Sequence, residues 1–326
     1  MKSSMQMTAG SDCRWISRLA AASLGCGLLV AQPVYAEVYR YQDESGQWVF
    51  SDRQPQSGQD YELAETQTGA APKEPVRIWR QESREGASIL ARNDAAYPVE
   101  VAAWLVSANN LRAMGVDDGA RAVLAAGEQR EVLRLAPLAA ERDWGFEFAS
   151  GHVPGDPQAR HDDSYIYRPP FAPAVSYRIT QAYPQAITHV TPDSEHAIDI
   201  DMPVGAGVFA ARDGLVVEVA YSNFRGGLDM QRFGQRANLV RILHADGSFA
   251  VYAHLSWDSI RVRPGEQVAR GQPIAAAGST GFSSGPHLHF VVLRNAGLKT
   301  VSVPVRFADG AGGSQVPESG AQLRNP

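Results

Sequence analysis

The sequence predicts a mostly β protein: an N-terminal hairpin module, a middle β-sandwich-like domain and a C-terminal antiparallel β domain. Three observations carry that expectation. Thirty glycines and twenty prolines in 326 residues break the chain into short segments and favour turns over long helices. Apolar and β-branched residues recur in short runs bounded by turn residues, which is the signature of strands. No long amphipathic helical stretch separates the runs of the last region, so a βαβ arrangement is excluded there. The hydrophobic share of 44% is that of an ordinary globular chain, and the net charge of −5 lacks the basic footprint of a nucleic-acid-binding protein.

Taken in order, residues 1–36 read as a secretory signal. Lys2, Arg14 and Arg18 form the positive flank of an apolar core, Leu19 to Ala31, which is short for a bilayer span. Val34-Tyr35-Ala36 then offers a small-residue cleavage site. The expectation is a periplasmic or secreted protein, with no stable membrane insertion after signal cleavage. Cys13 and Cys26, the only cysteines, both fall within this segment. The mature chain therefore has no disulfide, and any metal site must be built from histidines and carboxylates.

Residues 37–66 hold two alternating segments around Asp43-Glu44-Ser45-Gly46, which reads as a β-hairpin. The run from Val38-Tyr39-Arg40 to Phe50-Ser51-Asp52 resembles a short N-terminal module of unassigned function in exported proteobacterial proteins. Residues 67–75 read as a linker. Over 76–171, strands are expected at Arg77–Trp79, Val99–Val106, Glu131–Leu135 and Trp144–Phe148, a spacing that suggests a sandwich. Ala120 to Ala126 reads as a helical turn or a loop. His152, His161, Asp162 and Asp163 read as solvated surface, and Arg168-Pro169-Pro170-Phe171 as a boundary. Residues 172–308 carry nine strand-like runs punctuated by glycines, and the small, polar residues 309–326 read as a disordered tail.

The chemistry lies in that last region. In His287-Leu288-His289 a strand's period of two turns both imidazoles to one face. The same period puts Tyr252 and His254 on one face at the end of Phe249–His254, and His196-Ala197-Ile198-Asp199 supplies another histidine and a carboxylate. Three protein ligands with an open fourth position make a catalytic zinc site, and two histidines with one carboxylate meet that count.

These blocks stand in order with Ala210-Ala211-Arg212-Asp213-Gly214, with Val262-Arg263-Pro264-Gly265 and with Gly278-Ser279-Thr280-Gly281-Phe282-Ser283-Ser284-Gly285-Pro286. Residues 196–290 thereby resemble the lysostaphin-type, or LytM-type, zinc metalloendopeptidases that cleave peptidoglycan. The resemblance implies a lysostaphin-like antiparallel β fold, a Zn2+ cofactor, Asp199 and His289 as zinc ligands, and His254 and His287 as the acid/base pair. The family's first ligand sits four residues before the aspartate, where this chain has Glu195, with a histidine one residue later. His196 is the first candidate for that ligand, Glu195 the second and His189 the third. Residues i and i+3 of a strand face opposite ways, so His196 reaches Asp199 only across a bend. Tyr252 is expected to pack and His244 to be structural.

The implied activity is hydrolysis of peptide cross-links in peptidoglycan. In the Gram-negative envelope suggested by the N-terminal module, that is the D-Ala–diaminopimelate bridge. Arg225, Arg232 and Arg236 in the loop Tyr221 to Arg236 are candidates to bind stem-peptide carboxylates, which guanidinium forks match well. The alternative is a weak or inactive family member that binds peptidoglycan or activates a cell-wall amidase. The sequence identifies no envelope regulator.

Overall fold

The computed structural model describes residues 38–42, 48–51, 60–64, 75–115, 119–185, 187–234 and 236–326. The expected secretory signal and all but the last residue of the expected linker lie outside these residues. Val38–Gln42 pairs antiparallel with Trp48–Ser51, as the hairpin reading requires, and on its other edge with Glu62–Ala64.

The middle region is a sandwich of two sheets. One holds Val76–Ser83, Gly86–Asn93, Gln129–Pro137 and Leu111–Ala113, and the other holds Gly145–Pro154, Val99–Asn109 and Gly119–Leu124. Alternation builds its interior: Ala87 and Ile89 point inward from one strand and meet Ala103, Leu111, Leu133 and Leu135. The alanine-rich stretch expected as a helical turn or loop is largely a strand, pairing along its length with Val99–Trp104. Its small residues suit that place, because a Cβ at Gly119 would come within 2.9 Å of the Trp104 Cβ.

The C-terminal region is organised by one long sheet. Its order runs Gln267–Val268, Gly214–Ala220, Leu239–Leu243, Phe249–Ala253, Leu288–Asn295, Ile198–Ile200, Ser176–Gln181 and Gln322–Arg324, with Thr300–Val303 on the far part of Leu288–Asn295. Among the described residues the only α-helix is the single turn Met230–Phe233. The sheet is buried on both faces. Ala250 and Tyr252, with Leu288, Phe290 and Val292, enter the inner core beside Tyr167, Phe171, Val208 and Ile274. Phe249, Val251 and Ala253, with Val291 and Leu293, face the other way onto Val76, Tyr97, Val99, Val101 and Leu124 of the middle region. Tyr97 meets Phe249 edge to face, ring centroids 5.7 Å apart. At the border, Glu100 accepts from the Asn295 side chain at 2.9 Å and from the Leu298 N–H at 2.6 Å.

Two expectations are corrected here. Residues 309–326 are not a disordered tail: Gln322–Arg324 adds a strand to Ser176–Gln181, and Leu323 is fully buried. Burying that side chain is worth about 2 kcal/mol, and the Asn325 side chain donates to the Phe171 carbonyl. The boundary after Phe171 falls inside the core, since Tyr167 and Phe171 are both fully buried among C-terminal residues. The paired prolines bend the chain into the core and do not mark its edge.

Candidate metal centre

The strand Ile198–Ile200 lies between Ser176–Gln181 and Leu288–Asn295, and its register sets Asp199 beside His289. His289 is in turn paired with Ala253, so both side chains rise from the sheet face that carries Val291 and Leu293. His289 Nδ1 lies 2.9 Å from Asp199 Oδ1. His287 stands just before the strand, and its Nε2 is 3.9 Å from the same carboxylate oxygen. The expected common face of the two histidines is present.

The third group is His189, not His196. The connection from Ala182 to Ala197 joins two neighbouring antiparallel strands, so it folds back over their ends and returns His189 to the carboxylate. His189 is buried, with Nε2 3.3 Å from Asp199 Oδ2. The ligand atoms of His189, Asp199 and His289 all lie within 4.8 Å of one another. His196 sits three residues before Asp199 in the turn preceding the strand, and no bulge bends it inward. Its Nδ1 is 3.2 Å from Ser302 Oγ, and its ring packs on Tyr183 with centroids 4.6 Å apart. Glu195 is exposed in the same turn. Of the three candidates for this position, the third stands beside the carboxylate and the first and second do not.

His254 also departs from its expected phase. Tyr252 is fully buried in the inner core, where its hydroxyl accepts from the Ala211 N–H at 2.7 Å. His254 has a left-handed backbone, φ 61°, and this breaks the strand alternation. Its ring turns instead to the other face, 4.6 Å from that of His287 and 5.8 Å from that of His289.

Hydrogen bonds select the tautomers. His254 Nδ1 is 2.7 Å from the Thr280 carbonyl, and His287 Nδ1 is 2.8 Å from the Gly285 carbonyl. A carbonyl only accepts, so each Nδ1 carries a proton and each neutral ring keeps a lone pair on Nε2. His189 is held likewise by the Ala197 carbonyl, 3.2 Å from its Nδ1. Its unprotonated Nε2 then faces a carboxylate, and two electron-rich atoms 3.3 Å apart require a proton or a cation between them. Two imidazoles and one carboxylate are a donor set that suits zinc.

Electrostatics agree with this donor set. Burial raises the pKa of Asp199, but the His189 and His289 side chains set against it outweigh that and hold the carboxyl well below its usual range. Burial lowers the pKa of His289 against the pull of Asp199. Burial, with the neighbouring His287 and His289, takes His254 down to about 3. These two imidazoles are therefore neutral at pH 7, the state needed for ligation or for accepting a proton. His244 lies elsewhere, buried with Nδ1 2.8 Å from the Asp213 carbonyl, and burial lowers it to about 4. Its expected structural character fits that position.

The loop with the three arginines runs along one side of this centre. Gly226–Gly227 pairs with Gly281–Phe282, next to the segment whose Thr280 carbonyl holds His254. The approach requires glycine, because a Cβ at Gly226 would fall 1.8 Å from the Ser279 carbonyl oxygen. The Arg225 carbonyl accepts from the Gly281 N–H at 2.9 Å. Arg232 and Arg236 are exposed, Arg232 with its guanidinium over the Phe233 ring.

Comparison with known proteins agrees with the region built here. Residues 193–301 match peptidase family M23, and residues 26–78 match a domain of unknown function, DUF4124. Residues 193–301 are thus an M23-like domain. The chain is 35% identical over 121 residues to the glycyl-glycine endopeptidase ALE-1 of Staphylococcus capitis, covering 36% of this chain and 30% of that protein. It is 32% identical over 150 residues to the peptidoglycan DD-endopeptidase ShyB of Vibrio cholerae, covering 43% of this chain and 32% of the relative. It thus spans about a third of the length of these relatives. The structure of lysostaphin from Staphylococcus simulans aligns at 27% identity, over 43% of this chain and 47% of that one, with a TM-score of 0.29. The M23 match begins at residue 193, so His189 lies just ahead of it. Among the described residues no helix is long and apolar enough to cross a membrane.

Proposed function

We propose that this protein is an exported, zinc-dependent endopeptidase that hydrolyses peptide cross-links of peptidoglycan, in the periplasm or outside the cell. The observation that carries the reading is the convergence of His189, Asp199 and His289 on one point, with His254 and His287 beside it. His189, Asp199 and His289 would hold the zinc, leaving a position open toward His254 and His287. Bound zinc would supply an activated water at neutral pH and polarise the scissile carbonyl.

The chain's own residues do the rest. Nε2 of His254 or His287 accepts the proton of the attacking water, and the same atom, once protonated, returns it to the leaving amine. The Thr280 and Gly285 carbonyls keep those lone pairs aimed at the reacting atoms. The protonated ring beside the carbonyl stabilises the charge that develops on its oxygen. Arg225, Arg232 and Arg236, on the loop flanking the centre, bind stem-peptide carboxylates. Converting all three to alanine is expected to raise KM for purified wall several-fold with little change in kcat; an unchanged KM would remove that role.

The deciding experiment measures zinc content and the muropeptides released from purified peptidoglycan by the wild type and by His287→Ala. One zinc per chain and conversion of cross-linked dimers to monomers is expected for the wild type. His287→Ala should keep the metal and lose about 10²–10⁴ in rate. Wild type that lacks zinc and releases nothing, yet stimulates a cell-wall amidase, would replace this reading with the non-catalytic one.

A further inference from the structure

Gln181 makes two kinds of contact with one amide. Its Oε1 accepts from the Ile187 N–H at 2.5 Å and from the Thr188 N–H at 2.6 Å. Its Nε2 donates to Asp199 Oδ2 at 2.8 Å and to Thr188 Oγ1 at 2.9 Å. Rotating the amide by half a turn would set its NH2 against two N–H donors and its oxygen against a carboxylate. The neighbours therefore fix its polarity. Gln181 is 8% exposed, so each of these groups would be costly to leave unpaired.

The backbone explains how it gets there. A register irregularity between Ile179 and Gln181 shifts the end of that strand and sets Gln181 opposite Asp199. The chain then runs out into the loop that carries His189 and comes back to Gln181 at Ile187 and Thr188. One side chain thus grips both the carboxylate and the two residues preceding His189.

We propose that Gln181 is a positioning residue that clamps the His189 loop to Asp199 and thereby sets the affinity of the metal centre. Without the clamp, the two residues before His189 would lose their anchor to the strand, and the loop's Ile187 and Val190 are 83% and 77% exposed and contribute little packing in its place. The metal half of the proposal rests on the zinc reading above; the clamp on the loop does not.

The full-length chain carrying Gln181→Ala or Gln181→Asn tests it. Asparagine keeps an amide but is one methylene too short to bridge the two sites, so it serves if alanine destabilises the strand. Both are expected to raise hydrogen exchange at the Ile187 and Thr188 amides at least about tenfold, the factor that loss of one modest hydrogen bond brings. Both should weaken zinc binding, titrated against a chelator, by about 10–100-fold, as loss of a ligand's supporting partner does. Gln181→Met fills the same space without an amide and should lose protection of the two amides as the short variants do, which a packing defect alone would not produce. Unchanged exchange in the short variants overturns the clamp, and lost protection with wild-type zinc affinity overturns its role at the metal. Wild type that binds no zinc defeats the endopeptidase reading and the metal half together, while the exchange measurement still decides the clamp.

Discussion

Replacing His189 by alanine is expected to empty the metal centre and to cut peptidoglycan cleavage at least about a thousandfold, whereas His196→Ala should leave zinc content and rate near wild type. The asymmetry follows from where the rings stand. His189 Nε2 is 3.3 Å from Asp199, and removing it leaves two protein ligands where a catalytic zinc needs three. Loss of the metal forfeits several kcal/mol of transition-state stabilisation, and about 4 kcal/mol corresponds to a factor of 10³. His196 gives up only its contacts with Ser302 and Tyr183, of the order of 1 kcal/mol in stability. Zinc stoichiometry on dialysed protein and initial rates on purified wall check both variants. Zinc retained in His189→Ala but lost in His196→Ala would reverse the assignment.

The second large effect concerns stability. Arg212 is buried, with Nη1 2.6 Å from Asp246 Oδ2 and its guanidinium 4.0 Å from the Tyr165 ring centroid. Asp246 accepts further from the Asp162 N–H and from the Ser248 N–H and hydroxyl. Burial raises its pKa, but the Ser248 hydroxyl, those N–H groups and Arg212 together hold it below the usual carboxylate range. Arg212→Ala leaves that carboxylate without its cation and should cost about 3–5 kcal/mol in urea unfolding at pH 7. The double change Arg212→Met with Asp246→Asn should cost less than the single one, because it leaves no unpaired charge. The sign with pH follows: a depressed carboxyl stabilises above its unfolded pKa of about 3.9, and that contribution is lost as pH falls through the folded value. Removing Arg212 raises the folded value, so acid unfolding should begin at higher pH. A cost below about 1 kcal/mol would contradict this account.

The same cluster shows why part of the molecule was hard to read from sequence. His161 and Asp162 look like loose loop residues, yet the His161 side chain is 3% exposed, and Asp162 meets Asp246 from 84 positions away in the chain. Nothing local signals such a contact. His287 and His289 were legible because strand period alone sets their common face. Asp199 was legible through its motif. The approach of His189, the third candidate, to Asp199 was not legible because it depends on the path of a loop, and only the adjacency of the two strands it joins could have hinted at it. His254 stands beside His287 and His289 but out of the expected phase, since a single left-handed residue inverts the side that alternation predicts. Gln181 was missed because its place depends on a register irregularity. The C-terminal strand was missed because one buried leucine among small polar residues carries little compositional weight.

The sheet that presents the histidines is also the surface on which the middle sandwich rests. This has a practical consequence for anyone wishing to isolate the C-terminal region. Cutting the chain after Phe171 would uncover Phe249, Val251, Val291 and Leu293 in one contiguous strip and remove Tyr167 and Phe171 from the inner core. Such a fragment would carry every proposed zinc ligand and yet be prone to aggregate. The sandwich serves as the second wall of the C-terminal sheet, and a fragment meant to hold the proposed zinc ligands should begin near residue 75.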